Sequence, residues 1–126
     1  MADTGVVVNS GLSMAISALT TATLPPKFIA WGTGTTTATA ANTALESETA
    51  TIRCTGTVTI ITTTTTSDTL QVTGTMTATA AYTISEVGLF DTNAAGLMFA
   101  RITFTGIALN ASDSIAWTIK AVADQA

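Results

Sequence analysis

The sequence contains no histidine. The commonest acid–base side chain, which is also the commonest metal ligand, is therefore missing. Cysteine occurs once, at Cys54, so no disulfide can form within the chain. A reactive thiol needs a basic neighbour and exposure. Arg53 is adjacent, but neighbouring strand residues point to opposite faces, so Cys54 reads as a small core residue. Charge is scarce, at 10% of residues where about 25% is usual. The only basic residues are Lys27, Arg53, Arg101 and Lys120, and the net charge is −4. Nucleic-acid binders cluster cations and weave aromatics among them, so no nucleic-acid partner is expected. No apolar run approaches the ~20 residues needed to span a bilayer, and no membrane role is expected. The opening MADTGVVVNSG lacks a basic stretch followed by a long apolar run, so no secretory leader is expected.

Threonine fills the place of charge: 30 of the 126 residues. It is β-branched and fits a pleated surface, while its hydroxyl tolerates water. The length suits one domain, with an N-terminal arm over 1–8 and a single β domain over 9–126. Val6, Val7 and Val8 form a β-branched run that no Lys or Pro blunts. Leu12, Ala15, Ile16 and Leu19 then recur at helical spacing, with Asn9 or Ser10 as cap. Pro25 and Pro26 bar any continuation of this helix. KFIAW at 27–31 reads as a buried strand. Residues 32–48 read as a long loop with a helical turn near Leu45.

From 51 the period is two. Ile52, Cys54, Gly56, Val58 and Ile60 share one face; Thr51, Arg53, Thr55, Thr57 and Thr59 share the other. Leu70, Val72, Gly74, Met76 and Ala78 repeat the pattern after a polar link, which predicts an antiparallel hairpin of 51–61 with 69–80. Further strands are expected at 82–91, bent at Gly88, at 97–109, broken at Gly106, and at 115–122. The fold class is mainly β: an antiparallel sandwich or jelly-roll-like barrel with one short N-terminal helix. The expected core is Ile52, Val58, Ile60, Leu70, Val72, Met76, Leu89, Phe90, Ile102, Phe104, Ile115, Trp117 and Ile119.

Catalytic patterns are not found, and no enzyme activity or cofactor is expected. Among the carboxylates only Glu46 and Glu48 are close in sequence, and Asp68, Asp91 and Asp113 read as turn residues. Asp91, Asn93 and Gly96 imitate a calcium loop, but Ala95 and Ile102 stand where ligands are needed, so no metal is expected. GTGTTTATA is not followed by the Gly-Lys-Ser/Thr of a phosphate loop. Glu86 and Arg101 fall in successive strands and are expected to pair and set register. Of the two tryptophans, Trp31 is the better interface candidate because a Gly-Thr loop follows it. Thr33 and Thr35 in that loop join Val6, Val7, Val8 and Trp31 as interface candidates.

Three segments, PPKFIAWGTGTTTATAANTALESE, TLQVTGTMTATAAYTISEVGLFD and LMFARITFTGIALNASDSIAWTIK, together resemble a group of small structural proteins of tailed bacteriophages. The pattern is K-[FY]-I-x-[WV]-G-T-G, then I-[ST]-E-[AV]-G-L-F-D, then N-x-x-D-S-I-x-[FW]-T, and it covers most of the chain from Lys27 onward. The resemblance implies a virion component, either a head decoration (cement) protein or a tail-fibre or baseplate-associated module. It implies a homotrimer on the exterior of the capsid, assembled in the host cytoplasm, with the major capsid protein as partner. It supplies no catalytic residues. The 41–48 stretch, ANTALESE, departs from the pattern, so loop contacts are not carried over. A reading from another class, ice or carbohydrate binding by ranked threonines, lacks the fixed repeat of a solenoid.

Overall fold

The computed structural model describes residues 7–123. The order is one helix, α1 (Asn9–Thr21), followed by seven strands. These are β1 (Phe28–Gly32), β2 (Cys54–Thr55), β3 (Thr57–Ile61), β4 (Thr69–Thr77), β5 (Tyr82–Phe90), β6 (Met98–Leu109) and β7 (Ser114–Val122). They form two antiparallel sheets, β2-β1-β5-β6 and β3-β4-β7, packed as a β-sandwich with α1 against β3 and β4.

The period-two pattern produces the core directly. Leu70, Val72 and Met76 of β4 and Ile119 of β7 face Ile29 and Trp31 of β1 and Val87 and Leu89 of β5. Ile16 of α1 enters the same cluster, and Leu12 is buried beside it. Each fully buried aliphatic or aromatic side chain here contributes roughly 1.5–3 kcal/mol from apolar burial. Phe104 of β6 and Trp117 of β7 are half-buried, their ring centroids 5.8 Å apart and tilted by 54°, where the two sheets meet along one side.

The expected hairpin exists as β3 with β4, in the register Val58↔Val72 and Ile60↔Leu70. Its first arm is not one continuous strand, however. At Gly56 the chain leaves β2, which pairs with β1, and enters β3 in the other sheet. A Cβ at Gly56 would lie 2.5 Å from Val72 Cγ1, so the transfer needs glycine. Alternation before Gly56 therefore does not refer to the hairpin core. Ile52, expected inside, is 84% exposed, and Arg53, expected outside, is buried. Ile60 lies on the rim of an edge strand and is partly exposed. Ile102 is 43% exposed, because β6 is the outermost strand of its sheet.

Several local expectations are also corrected. The α1 cap position is Val8, which offers no side-chain hydrogen bond, so neither Asn9 nor Ser10 caps the helix. Ala15 is exposed although it falls in the helical stripe. No helical turn forms near Leu45; Leu45 packs instead with Ala30 and Phe90 on the outer side of the larger sheet. β5 does not bend at Gly88, which stays in register between Ala30 and Arg101. The irregularities lie between Ile84 and Glu86 and between Leu89 and Phe90. β6 continues through Gly106, though its register with β5 shifts beside it, from Ile84↔Ile107 to Glu86↔Thr103.

Candidate functional site

Glu86 is the deepest charge among the described residues, wholly buried on β5. Its face is opposite to that of Val87 and Leu89, so it points away from the inter-sheet core and toward the 33–47 loop. Arg101 on β6 meets it through Nε and Nη2, 2.9 and 2.8 Å from Glu86 Oε2. The predicted pair is therefore present. It also does more than set register. The backbone N–H groups of Glu46 and Ser47 donate to Glu86 Oε2 and Oε1 at 3.1 and 2.9 Å. Arg101 Nη1 donates to Asn42 Oδ1 at 3.1 Å. One buried carboxylate and its arginine thus tether the loop at both its middle and its end.

The loop is tied at further points. Ser85 Oγ donates to the Gly34 carbonyl at 2.6 Å, and Thr33 N donates to the Ser47 carbonyl at 3.0 Å. Glu46 Oε1 accepts from the amides of Thr35 and Thr36 at 2.7 and 3.2 Å. These amide bonds, from Thr36 and Thr35, hold the Glu46 carboxyl below its ordinary range. Gly32 and Gly34 let the backbone approach this closely: at Gly34 a Cβ would lie 2.8 Å from Glu86 Oε2 and 2.5 Å from Glu46 Cβ. The outcome is a loop of fixed shape whose outward threonines, Thr33, Thr35, Thr36, Thr37 and Thr39, are uncharged, with Glu46 as its one exposed carboxylate.

Arg53 is absorbed in the same way. Its Nε and Nη2 meet Glu48 at 2.8 and 2.9 Å, and its guanidinium carbon stands 3.7 Å over the Phe90 ring. Nη1 donates to the carbonyls of Thr92 and Ala95 at 3.0 and 2.8 Å. The 91–96 turn, which resembles a calcium loop in sequence, thus directs two carbonyls at a guanidinium. Among the described residues no cluster of three or more Cys, Asp or Glu could hold a metal ion.

The outer face of the three-stranded sheet is a second surface poor in charge. Strand pairing aligns Thr57, Thr73 and Thr118 in one row across it, and Thr59, Gln71 and Lys120 in the next. Thr77 and Ser114 hydroxyls meet at 2.7 Å on the same face. Lys120 is the only charged side chain among these paired positions.

Of the predicted interface residues, Thr33 and Thr35 are exposed on the tethered loop. Val7 and Val8 are exposed ahead of α1, and Val6 lies outside the described residues. Trp31 is not an interface residue: it is 1% exposed, deep in the core on β1, and its indole N–H has no partner among the described residues. The loop that follows it folds over Glu86 instead of leaving Trp31 open. The structure brings together Glu86, Arg101 and the 33–47 loop, which sequence spacing could only pair in part. Nothing in the sequence signals that Glu86 also collects two loop amides. No protein-family model matches the chain, and no curated protein matches it.

Proposed function

We propose that this chain is a structural protein of a tailed-bacteriophage virion, a decoration protein that binds the outside of the capsid shell and stabilises it. The carrying observation is the combination of internalised charge and fixed loop. Arg53 is spent on the partly exposed Glu48 and Arg101 on the buried Glu86, and most of what faces outward is a threonine and alanine surface of set shape. Such a surface brings few charges to desolvate on contact. A loop that is already ordered loses little conformational freedom on binding, which favours affinity. Many copies on one shell then multiply contacts that are individually weak.

The reading also draws on the resemblance of the Lys27–Gly34, Ile84–Asp91 and Asn110–Thr118 motifs, the first two of which lie side by side as β1 and β5. The homotrimer and the major capsid protein as partner belong to this proposal. The test is co-sedimentation of purified protein with undecorated heads and, separately, with isolated tails. Saturable binding to heads, with a gain in their thermal stability, is the expected result. Binding to tails alone would replace it with the fibre or baseplate reading, and binding to neither would remove both.

A further inference from the structure

We infer that the cavity between the 33–47 loop and β6 is a binding site for a neutral sugar carrying an acetamido group. The cavity measures about 400 Å3 and is walled by residues 38–40 and Asn42 of the loop and by residues 98–101 of β6. Small-molecule sites span ~300–1,000 Å3, so one sugar ring fits. Both walls are set before a ligand arrives. The loop wall is tied to β5 and β6 through Glu46, Ser47 and Asn42, so little ordering is left for binding to impose. On the strand wall, the β5–β6 register steps from Leu89↔Ala100 to Phe90↔Met98 and leaves Phe99 with no residue opposite. A bulge of this kind re-aims a side chain. Phe99 is 43% exposed and lines the cavity.

The polar groups select the ligand. Asn42 Oδ1 accepts from Thr39 N and from Arg101 Nη1, at 2.8 and 3.1 Å. Two donors on one oxygen fix the amide orientation, and Nδ2 has no partner among the described residues. Arg101, its side chain 2% exposed, spends only one of its two Nη1 hydrogens on Asn42. Nδ2 and Nη1 flank the same oxygen, so they stand within ~5.5 Å of each other, and one ligand oxygen can lie ~2.9 Å from both. A carbonyl oxygen accepts twice and brings no hydrogen; a hydroxyl would bring one that needs an acceptor. Glu86 neutralises Arg101, and no other charged side chain lines the cavity, so a neutral ligand is favoured over a carboxylate or phosphate. The small side chains of Ala38 and Ala40 suit an acetamido methyl, and the Phe99 ring suits the C–H face of a pyranose, whose hydrogens meet its negative face. A peptide carbonyl offers the same acceptor, but a bound peptide pairs along a regular strand edge, and the bulge at Phe99 interrupts this one. The threonine rows of the other sheet take no part, and the site is independent of capsid binding.

Titration of the isotope-labelled full chain with N-acetylglucosamine, followed by NMR, tests it, with glucose and N-acetylalanine methylamide as comparison probes. Saturable shifts of the Asn42 side-chain amide and of the backbone amides of 38–42 and 98–101 are expected at millimolar affinity, with glucose about tenfold weaker. Phe99→Ala, at an exposed position, and Asn42→Asp, which exchanges the Nδ2 donors for an acceptor, should each weaken binding about tenfold while β4 amides keep their positions. If Asn42→Asp disturbs the loop without ligand, Phe99→Ala decides. Tighter binding of chitotriose than of the monosaccharide would assign the ligand to a polysaccharide, and equal binding to a free sugar; both support the site. No saturable shift, equal affinity for glucose, equal or tighter binding of the methylamide, or shifts confined to other surfaces would each overturn the inference.

Discussion

Asp68 shows how much one side chain organises in this protein. It is buried in the β3–β4 turn and accepts from the amides of Thr63, Thr64 and Thr65 at 2.9, 3.0 and 2.8 Å and from the Thr69 hydroxyl at 2.8 Å. Those bonds, the one from Thr65 first, hold its carboxyl far below the ordinary value of about 3.9. A depressed folded-state value means that the unfolded chain takes up the proton first as pH falls. The stabilisation is then complete above about pH 4 and is lost progressively below it. Melting temperature should therefore fall below about pH 4, and the gap between wild type and Asp68→Asn should narrow there relative to pH 7. A gap that stays constant with pH would assign the effect to other carboxylates. Arg101 makes a different prediction. Removing one member of a buried pair strands the other, so Arg101→Met should cost about 3–5 kcal/mol by urea unfolding, and Arg101→Met with Glu86→Gln should cost less than Arg101→Met alone. Phe104 is half-buried against Trp117, so Phe104→Ala should cost about 2–3 kcal/mol, below the range for a fully buried ring. Residue identity alone indicated the Glu86–Arg101 pair and the Asp68 turn. It did not indicate the fate of Arg53, because its partners Phe90, Thr92 and Ala95 lie about forty residues away from it and from Glu48 in sequence.

At the scale of elements, alternation was legible wherever one strand stays in one sheet. Leu70, Val72 and Met76 are buried as their spacing predicts, and the β3–β4 ladder follows from it, whereas the pairing of β4 with β7 was not legible. It misled wherever an element changes sheet or ends at a rim: Ile52 precedes the transfer at Gly56, and Ile102 lies on the outermost strand. A period of two states which residues share a face but not which face is covered, and coverage depends on partners remote in sequence. The 32–48 loop was legible as a loop and its threonines as outward. Its rigidity was not, since that arises from Glu86 some forty residues away. That rigidity is testable. Gly34→Ala would force a Cβ against Glu46 and Glu86, so loop amides from 35 to 47 should exchange faster while β4 amides stay protected. Unchanged exchange in the loop would mean that its other ties suffice.

For the whole molecule, the balance of charge matters more than any one contact. Few unpaired charges reach the surface among the described residues, so binding to capsids should persist at ~0.5 M salt, where screening already extends only a few ångströms. Loss of binding at that salt would show that the few exposed charges, and not the threonine surface, hold the complex. The topology also has a bearing on biosynthesis. β1 lies between β2 and β5, and its main partner is β5, with Phe28 opposite Phe90 across 62 residues (90 − 28). A ribosome adding about 5–20 residues per second leaves the Phe-Ile-Ala-Trp segment of β1 without that partner for roughly 3–12 s. Nascent chains halted before Tyr82 should accordingly be the ones that chaperones retain, and release should coincide with the emergence of β5.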